Sequence, residues 1–267
     1  MINDEAMTRT RLLAAYDEQL RTDAETPGAI SITMLGPLRL VTFNGGRGFI
    51  TYKNLGGAVK EDLRRLVTAA LDHFRQNTDI DHAEWKTRGH DQAPGLLEAL
   101  LQNGFIPDDP ESIMLGDAQV LAVDVALPPG VTLRRVTEEA DVRAMAAMQA
   151  EVFGDLNSKP MADALLGRLA LVDGMELWIG EEGGEIVTAG RLDPVPNSDF
   201  AGIWGGATRE EWRGRGIYRA LTAARARSAI AMGKTLIHSD STELSRPILE
   251  RSGLLAASTT TPYEWNR

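Results

Sequence analysis

The chain contains no cysteine. That absence excludes disulfide bonds, thiolate metal sites and a cysteine nucleophile. No apolar stretch approaches the roughly 20 residues that a membrane-spanning helix needs. The first residues, Met1-Ile2-Asn3-Asp4-Glu5, are acidic and lack the apolar core of a secretion signal. Together these features predict a cytoplasmic protein with no membrane partner.

Basic residues are scarce relative to acidic ones. The 267 residues include 28 Lys and Arg against 38 Asp and Glu, which gives a net charge of −10. Nucleic-acid binding requires a basic face that neutralises phosphates, so the balance argues against a nucleic-acid partner. It suits a small or cationic substrate better. Histidine is also rare: His73, His82 and His90 lie in the first half without metal-ligand spacing, so no metal site is predicted.

The stretch 199–232 has the most informative pattern in the chain. Small and apolar residues at 200–207 predict a strand, and 213–218 is a glycine-rich loop. Apolar or small residues then recur with helical spacing at Ile217, Leu221, Ala224 and Ser228. A glycine-rich loop at a helix N-terminus presents backbone N–H groups and the positive end of the helix dipole, which suits a phosphate. The alternative is a helix that merely begins with glycines and is basic, but the flanking strands favour the anion site.

This loop carries the similarity to a known family. Arg213-Gly214-Arg215-Gly216-Ile217-Tyr218 matches the signature Arg/Gln-x-x-Gly-x-Gly/Ala except at its last position, where Tyr218 replaces a small residue. From about Val131 to the C-terminus the chain resembles the GNAT N-acetyltransferases, which bind acetyl-CoA. The resemblance implies that the backbone of Ala207, Thr208 and Arg209 pairs with the pantetheine arm. It also implies an oxyanion donor near Ala207 and pyrophosphate contacts from N–H groups at Arg213, Gly214, Arg215, Gly216, Ile217 and Tyr218.

The usual acid and base of that family are missing. Many members carry a tyrosine four residues before the glycine of a closing Gly-Phe pair, and here that position is Leu249, while the phenylalanine is Leu254. The stretch 200–207 also lacks the glutamate that many members have. His238 and Asp240, which follow the next predicted strand, are the candidate catalytic residues because a neutral histidine is a competent base near pH 7.

Other roles for the candidate residues remain open. His238 can equally be a packed residue, and Asp240 can be the N-cap of a helix beginning at Thr242. Tyr218 and Tyr263 could supply a phenol, although packing is the favoured interpretation for both.

The order helix, strand, helix, Gly-apolar, strand occurs twice, and Gly104 and Gly253 occupy equivalent positions. Such self-similarity predicts a tandem duplication, although a chance match of a frequent unit is the alternative. The first copy has Asn54-Leu55-Gly56-Gly57-Ala58 before its helix instead of an Arg-x-x-Gly loop. The predicted fold is therefore α/β (α+β) with two tandem GNAT-like domains, each a mixed, mostly antiparallel sheet flanked by helices.

The boundary is predicted at the double proline of 127–130, which cannot continue a helix or a central strand. This gives a degenerate domain at 1–127 and an acetyl-CoA-binding catalytic domain at 128–267. The predicted helices are 8–23, 61–76, 94–102, 138–153, 160–171 and the one that begins at 217. The predicted strands are 38–43, 49–53, 83–86, 112–115, 131–136, 175–181, 185–191, 200–207 and 235–238.

The resemblance implies an acetyl-CoA-dependent N-acetyltransferase that acts on the amine of a small acceptor. The N-terminal half would then help to form the acceptor pocket or the face of a homodimer. The intact cofactor loop favours this enzyme. The missing tyrosine and glutamate favour the alternative, a non-catalytic protein that binds acetyl-CoA or a partner through a retained GNAT fold. A tandem enzyme that resembles mycothiol synthase is a third interpretation, although only one intact cofactor loop is present.

Overall fold

The computed structural model describes residues 2–267, which form two compact units. Unit 1 contains the described residues up to Ile113 together with Ser241–Glu243 and Ala256–Arg267. Unit 2 contains Met114–Asp240 and Leu244–Leu255. This division differs from a linear cut between residues 127 and 128, because the last twelve residues count with unit 1 and residues 114–127 count with unit 2.

The elements follow in chain order. The helices are α1 (Ile2–Gln19), α2 (Lys60–Gln76), α3 (Leu96–Gln102), α4 (Ala118–Leu121), α5 (Glu139–Phe153), α6 (Lys159–Leu169), α7 (Ile217–Ala231) and α8 (Arg246–Arg251). The strands are β1 (Ser31–Leu35), β2 (Leu38–Thr42), β3 (Arg47–Tyr52), β4 (His82–Arg88), β5 (Ile106–Pro107), β6 (Glu111–Asp117), β7 (Thr132–Val136), β8 (Glu176–Glu182), β9 (Glu185–Pro194), β10 (Phe200–Thr208), β11 (Leu236–Ser241) and β12 (Leu255–Asn266). Single 3-10 turns lie at Asp23–Glu25 and Glu210–Trp212.

The sheet of unit 1 has the strand order β1-β2-β3-β4-β12. The β3–β4 pair is parallel, and the other neighbours are antiparallel. The amphipathic helix α2 lays its apolar face on a core that contains several large aromatic residues, namely Tyr52, Phe74, Trp85, Phe105, Tyr263 and Trp265. Tyr263 is therefore a packing residue of unit 1, which confirms the interpretation favoured from the sequence.

The first predicted helix ends earlier than expected. The pattern predicts 8–23, whereas α1 runs from Ile2 to Gln19. The helix stops because the Thr22 side chain accepts a hydrogen bond from the N–H of Ala24 and caps a 3-10 turn instead. Three short elements, β1, β5 and α4, have too few residues to show a clear period and were not predicted.

In unit 2, β7, β8, β9 and β10 form an antiparallel meander, and β11 runs parallel to β10. Ala189 packs with residues of α5 and α6 in one apolar cluster, whereas a Cβ on the neighbouring Gly190 would meet Leu221 and Arg225 of α7. Successive residues of a strand point to opposite faces, so α5 and α6 cover one face and α7 the other. Met145 and Met148 are buried in this core.

No helix among residues 2–267 is long and apolar enough to cross a membrane.

Candidate functional site

The site is built where β10 and β11 separate. Their parallel pairing runs from Phe200–Leu236 to Gly202–His238. Beyond that point β10 continues to Thr208 while pairing only with β9 on its other side. The C-terminal half of β10 therefore has an edge at which a ligand can lie.

The same half of β10 contains a β-bulge. Trp204 pairs with Arg191 and Ala207 with Ala189, so Gly205 and Gly206 lie opposite the single residue Gly190. Gly205 has φ +59°, a conformation that a side chain disfavours. A bulge turns backbone N–H and C=O groups away from the hydrogen bonds between the strands. In this protein the bulge lies in the half of β10 that no longer pairs with β11.

Side chains from three elements hold the carbonyl groups of the bulge. Gln149 of α5 donates from Nε2 to the Gly205 oxygen at 2.6 Å. Thr188 of β9 donates from Oγ1 to the Ala207 oxygen at 2.7 Å, and Arg225 of α7 donates from Nη1 to the Trp204 oxygen at 3.4 Å. The bulge is therefore fixed from both faces of the sheet.

The glycine-rich loop opens onto a cavity of about 620 Å³ beside the N-terminus of α7. Gly214 and Gly216 have φ +73° and +80°, so the loop requires glycine at both positions. Apart from its two chain neighbours, no residue has an atom within 4 Å of the position that a Cβ on Gly214 would take. The lining residues are Thr208, Trp212, Arg213, Gly214, Gly216, Ile217, Tyr218, Arg219, Ile248, Arg251 and Ser252.

These properties fit an anionic ligand. The 15-residue helix α7 directs its unpaired N-terminal N–H groups and its positive dipole end toward this side of the loop. Arg213, Arg219 and Arg251 add positive charge to the lining, in a chain whose net charge is −10. The pattern at 213–218 thus predicted the loop and the helix start. It missed Arg219, and it missed Ile248 and Arg251 of α8 and Ser252 directly after it, because no local pattern reveals that this segment lies beside the loop.

The arginines of the segment 209–215 have different partners. Arg213 donates from Nε to the Thr208 oxygen at 3.0 Å, and the Arg215 guanidinium lies 4.8 Å from the Trp212 ring centroid. Arg209 forms ion pairs with Glu151 and Glu185, and the hydrogen bond that it donates to Glu151 raises the pKa of Arg209. Arg213 therefore both lines the cavity and stabilises the loop, whereas Arg209 is neutralised by neighbouring carboxylates.

The backbone of Arg209 already has partners. Its N–H donates to the Val187 oxygen at 3.0 Å, and its oxygen accepts from the N–H of Trp212 at 3.0 Å. Ala207 and Thr208 lie at the separated edge of β10 and are buried, and their carbonyl oxygens also accept hydrogen bonds, from Thr188 and Arg213. The expected pairing of a pantetheine arm with residues 207–209 stays a prediction.

His238 lies on the same face of the sheet as Trp204. Their ring centroids are 5.1 Å apart in an edge-to-face arrangement, and the Phe200 ring centroid lies 5.8 Å from that of His238. A Cβ on Gly202 would lie 2.3 Å from Trp204 Nε1 and 3.0 Å from His238 Nε2, so this contact depends on glycine. His238 is half-buried near the bulge, within a cluster of aromatic rings.

The interpretation of Asp240 as a helix N-cap is wrong. Asp240 lies within β11, and α8 begins at Arg246 with Ser245 in the capping position. The proline of its first turn fixes φ for a helix start at this later point. Leu249, which stands at the position of the usual tyrosine, is buried in α8.

In unit 1 the parallel strands β3 and β4 also separate, after the pair Ile50–Trp85. A buried ionic cluster fills this place. Arg21 donates from Nε and Nη2 to the backbone carbonyl oxygen of Tyr52 at 3.3 and 3.0 Å. It also donates from Nη1 to the Asp91 carboxylate at 2.7 Å. Arg88 pairs with Glu25 and donates to Thr51 Oγ1 at 3.2 Å. The end of β3 in unit 1 is therefore occupied by the chain's own side chains.

His90 belongs to the same cluster. Its Nδ1 lies 2.7 Å from Ser258 Oγ, and its Nε2 lies 3.0 Å from Asp17 Oδ1. Burial alone would raise the pKa of Asp17, but hydrogen bonds from His90 and Arg21 lower it. In residues 2–267 no group of three or more His, Asp or Glu side chains could hold a metal ion.

Comparisons with known proteins agree with this geometry. A model of the Acetyltransferase (GNAT) family matches residues 142–251. A GCN5-related N-acetyltransferase from Kribbella flavida superposes with a TM-score of 0.68 over 95% of this chain and 94% of that one, at 15% identity. A tandem GNAT protein from the clavulanic acid biosynthesis pathway gives 0.64 over 96% and 95%, at 13% identity. A functionally unknown conserved protein from Staphylococcus epidermidis gives 0.66 over 92% and 98%, at 11% identity.

The comparison with curated protein sequences gives no match. The strand, bulge, loop and helix of unit 2 define an acetyltransferase-type fold. Residues 142–251 match the model of the GNAT acetyltransferase family, and residues 2–267 share the fold of GNAT proteins that include a tandem one, which confirms the predicted fold class.

Proposed function

We propose that the protein is an acetyl-CoA-dependent N-acetyltransferase that acts on the amine of a small acceptor. The observation that carries this proposal is the cavity at the N-terminus of α7, which combines two glycines of positive φ with three lining arginines. This cavity is suited to a diphosphate, and it lies beside the loop that follows the bulged strand β10. The match of residues 142–251 to the GNAT family model makes acetyl transfer the expected chemistry.

Acetyl-CoA would supply an acetyl group activated as a thioester. The loop residues Gly214 and Gly216 would let a diphosphate approach the backbone N–H groups, and Arg213, Arg219 and Arg251 would balance its charge. The bulge at Gly205 and Gly206 would orient backbone N–H groups toward the reacting carbonyl. The acceptor would approach from the face covered by α5, where Gln149, Trp204 and His238 lie.

The direct test is calorimetric titration with acetyl-CoA of the wild type and of Gly214→Trp. A tryptophan at this open position should occupy the cavity and weaken binding by at least about 100-fold, or about 2.7 kcal/mol. The matched control is Gly184→Trp, because Gly184 also has positive φ and open space but lies at the tip of the β8–β9 hairpin. Equal affinity in all three proteins, or no binding in the wild type, would contradict the proposal.

Unit 1 is expected to add no second binding site. Its equivalent strand end is filled by Arg21, Arg88 and their carboxylate partners, and breaking buried ion pairs of this kind costs several kcal/mol. The titration should therefore give one acetyl-CoA per chain. Two equivalents of comparable affinity would show that the cluster opens for a ligand.

A second candidate function is binding of acetyl-CoA without turnover, which the buried Leu249 favours because it removes the family's usual phenol. The two functions differ in CoA release. An enzyme should release free CoA in the presence of small primary amines, whereas a binding protein should show the same affinity and no release.

A further inference from the structure

Tyr218 is the only tyrosine in unit 2, since the other three lie at 16, 52 and 263. It is the second residue of α7, it lines the cavity, and it is half-buried. A Cβ on Gly206 would lie 2.5 Å from Tyr218 Cε2 and 2.9 Å from its hydroxyl oxygen. The phenol ring thus rests on the bulge in space left by a missing side chain. Its hydroxyl lies beside the backbone that would bind the reacting thioester.

Arg225 lies two turns further along α7 and is only 1% exposed. Besides the Trp204 oxygen, its guanidinium donates to the Arg191 oxygen at 3.2 Å and to Thr222 Oγ1 at 3.3 Å. These partners are neutral, and no carboxylate pairs with Arg225 in the part of the chain that the structure describes. A buried cation without an anionic partner is costly, since an arginine stays charged in proteins.

The protein makes room for this charge. A Cβ on Gly190 would lie 2.6 Å from Arg225 Nη1, so a side chain at this strand position opposite the bulge would displace the guanidinium from its present place. Burial lowers the pKa of Arg225, and an ionised Tyr218 counteracts this effect. Both side chains also contact the same bulge, Arg225 through the Trp204 oxygen and Tyr218 beside Gly206.

We propose that Tyr218 is the general acid of the acetyl transfer, with Arg225 stabilising its phenolate. This inference rests on the proposed function. The acceptor nitrogen forms a bond to the acetyl carbon, and the carbon–sulfur bond breaks. The departing thiolate takes the proton of the Tyr218 hydroxyl, and the proton lost by the nitrogen passes to water. Tyr218 regains a proton from solvent before the next turnover. A phenol on α7 thus replaces the one that Leu249 cannot provide.

The test compares Tyr218→Phe with the wild type in an assay of CoA release from acetyl-CoA and a mixture of small primary amines. Phenylalanine keeps the ring and the backbone N–H, so KM for acetyl-CoA should stay within about threefold while kcat falls about 100-fold or more. The decline of kcat at high pH, where a general acid loses its proton, should disappear in the variant. Tyr263→Phe is the control, because its phenol is packed in unit 1.

Arg225 is tested through the same readouts. Arg225→Lys keeps a cation and should retain more of kcat than Arg225→Met, which keeps the apolar stem alone. Both Arg225 variants must first bind acetyl-CoA with wild-type affinity, because that result separates an effect of charge from misfolding. If either variant binds more weakly, the proposal is decided by Tyr218→Phe alone. A Tyr218→Phe variant with unchanged kcat and pH profile overturns the inference and leaves the proposed function intact. A wild type that binds no acetyl-CoA or releases no CoA overturns both.

Discussion

A chain that ends at Leu255 is expected to lose the folded structure of unit 1. The deleted residues 256–267 form most of β12, which pairs with β4 at seven positions from Thr260–Arg88 to Asn266–His82. They also carry Tyr263 and Trp265, which are buried in the core beside Trp85. Losing a buried aromatic side chain costs about 3–5 kcal/mol, and two such losses approach the whole stability of a typical domain.

Hydrogen exchange measured by mass spectrometry would check this expectation. Amides of 82–88 should lose their protection in the truncated chain, while amides of the β8–β9 hairpin in unit 2 serve as an internal reference. Adding a peptide of residues 256–267 should restore protection, and the same peptide with Tyr263→Ser and Trp265→Ser should not. Protection that survives truncation would mean that β12 is dispensable for unit 1.

The sequence predicted best what local patterns encode. Helix α7 was expected to begin at Ile217, and it does, because glycine in the loop and apolar spacing in the helix are both local signals. The strands predicted at 38–43, 49–53, 175–181 and 185–191 are found for the same reason, as the antiparallel pairs β2–β3 and β8–β9. The loop residues of the candidate site were therefore accessible from sequence alone.

Contacts between residues distant in sequence could not be predicted in this way. Gln149 reaches Gly205 across 56 positions, and Arg225 reaches Trp204 across 21, so nothing near either residue indicates its partner. The partners of His90, Asp17 and Ser258, lie 73 and 168 positions away, and no pattern near His90 indicates either of them. The bulge itself depends on the register of β9 and β10, which composition does not determine.

Replacing Arg88 by methionine is expected to lower the free energy of unfolding by about 3–5 kcal/mol. The Arg88 side chain is fully buried, and it pairs with Glu25, whose side chain is 11% exposed. Burial alone would lower the pKa of Arg88, but the Glu25 carboxylate raises it, so the charged pair is mutually stabilised. Methionine fills a similar volume without charge. Glu25 then keeps the hydrogen bond from Thr51 and a lysine contact at 4.0 Å, which do not replace the guanidinium.

Urea denaturation followed by circular dichroism measures the effect, and two comparisons identify its cause. Arg64→Met removes an exposed arginine that pairs with Glu61 at 3.5 Å and should change stability by no more than about 0.5 kcal/mol. The double variant Glu25→Met, Arg88→Met removes both charges and should be more stable than Arg88→Met alone, since no buried carboxylate is left unpaired. A double variant less stable than the single one would show that Arg88 acts through packing rather than through its pair with Glu25.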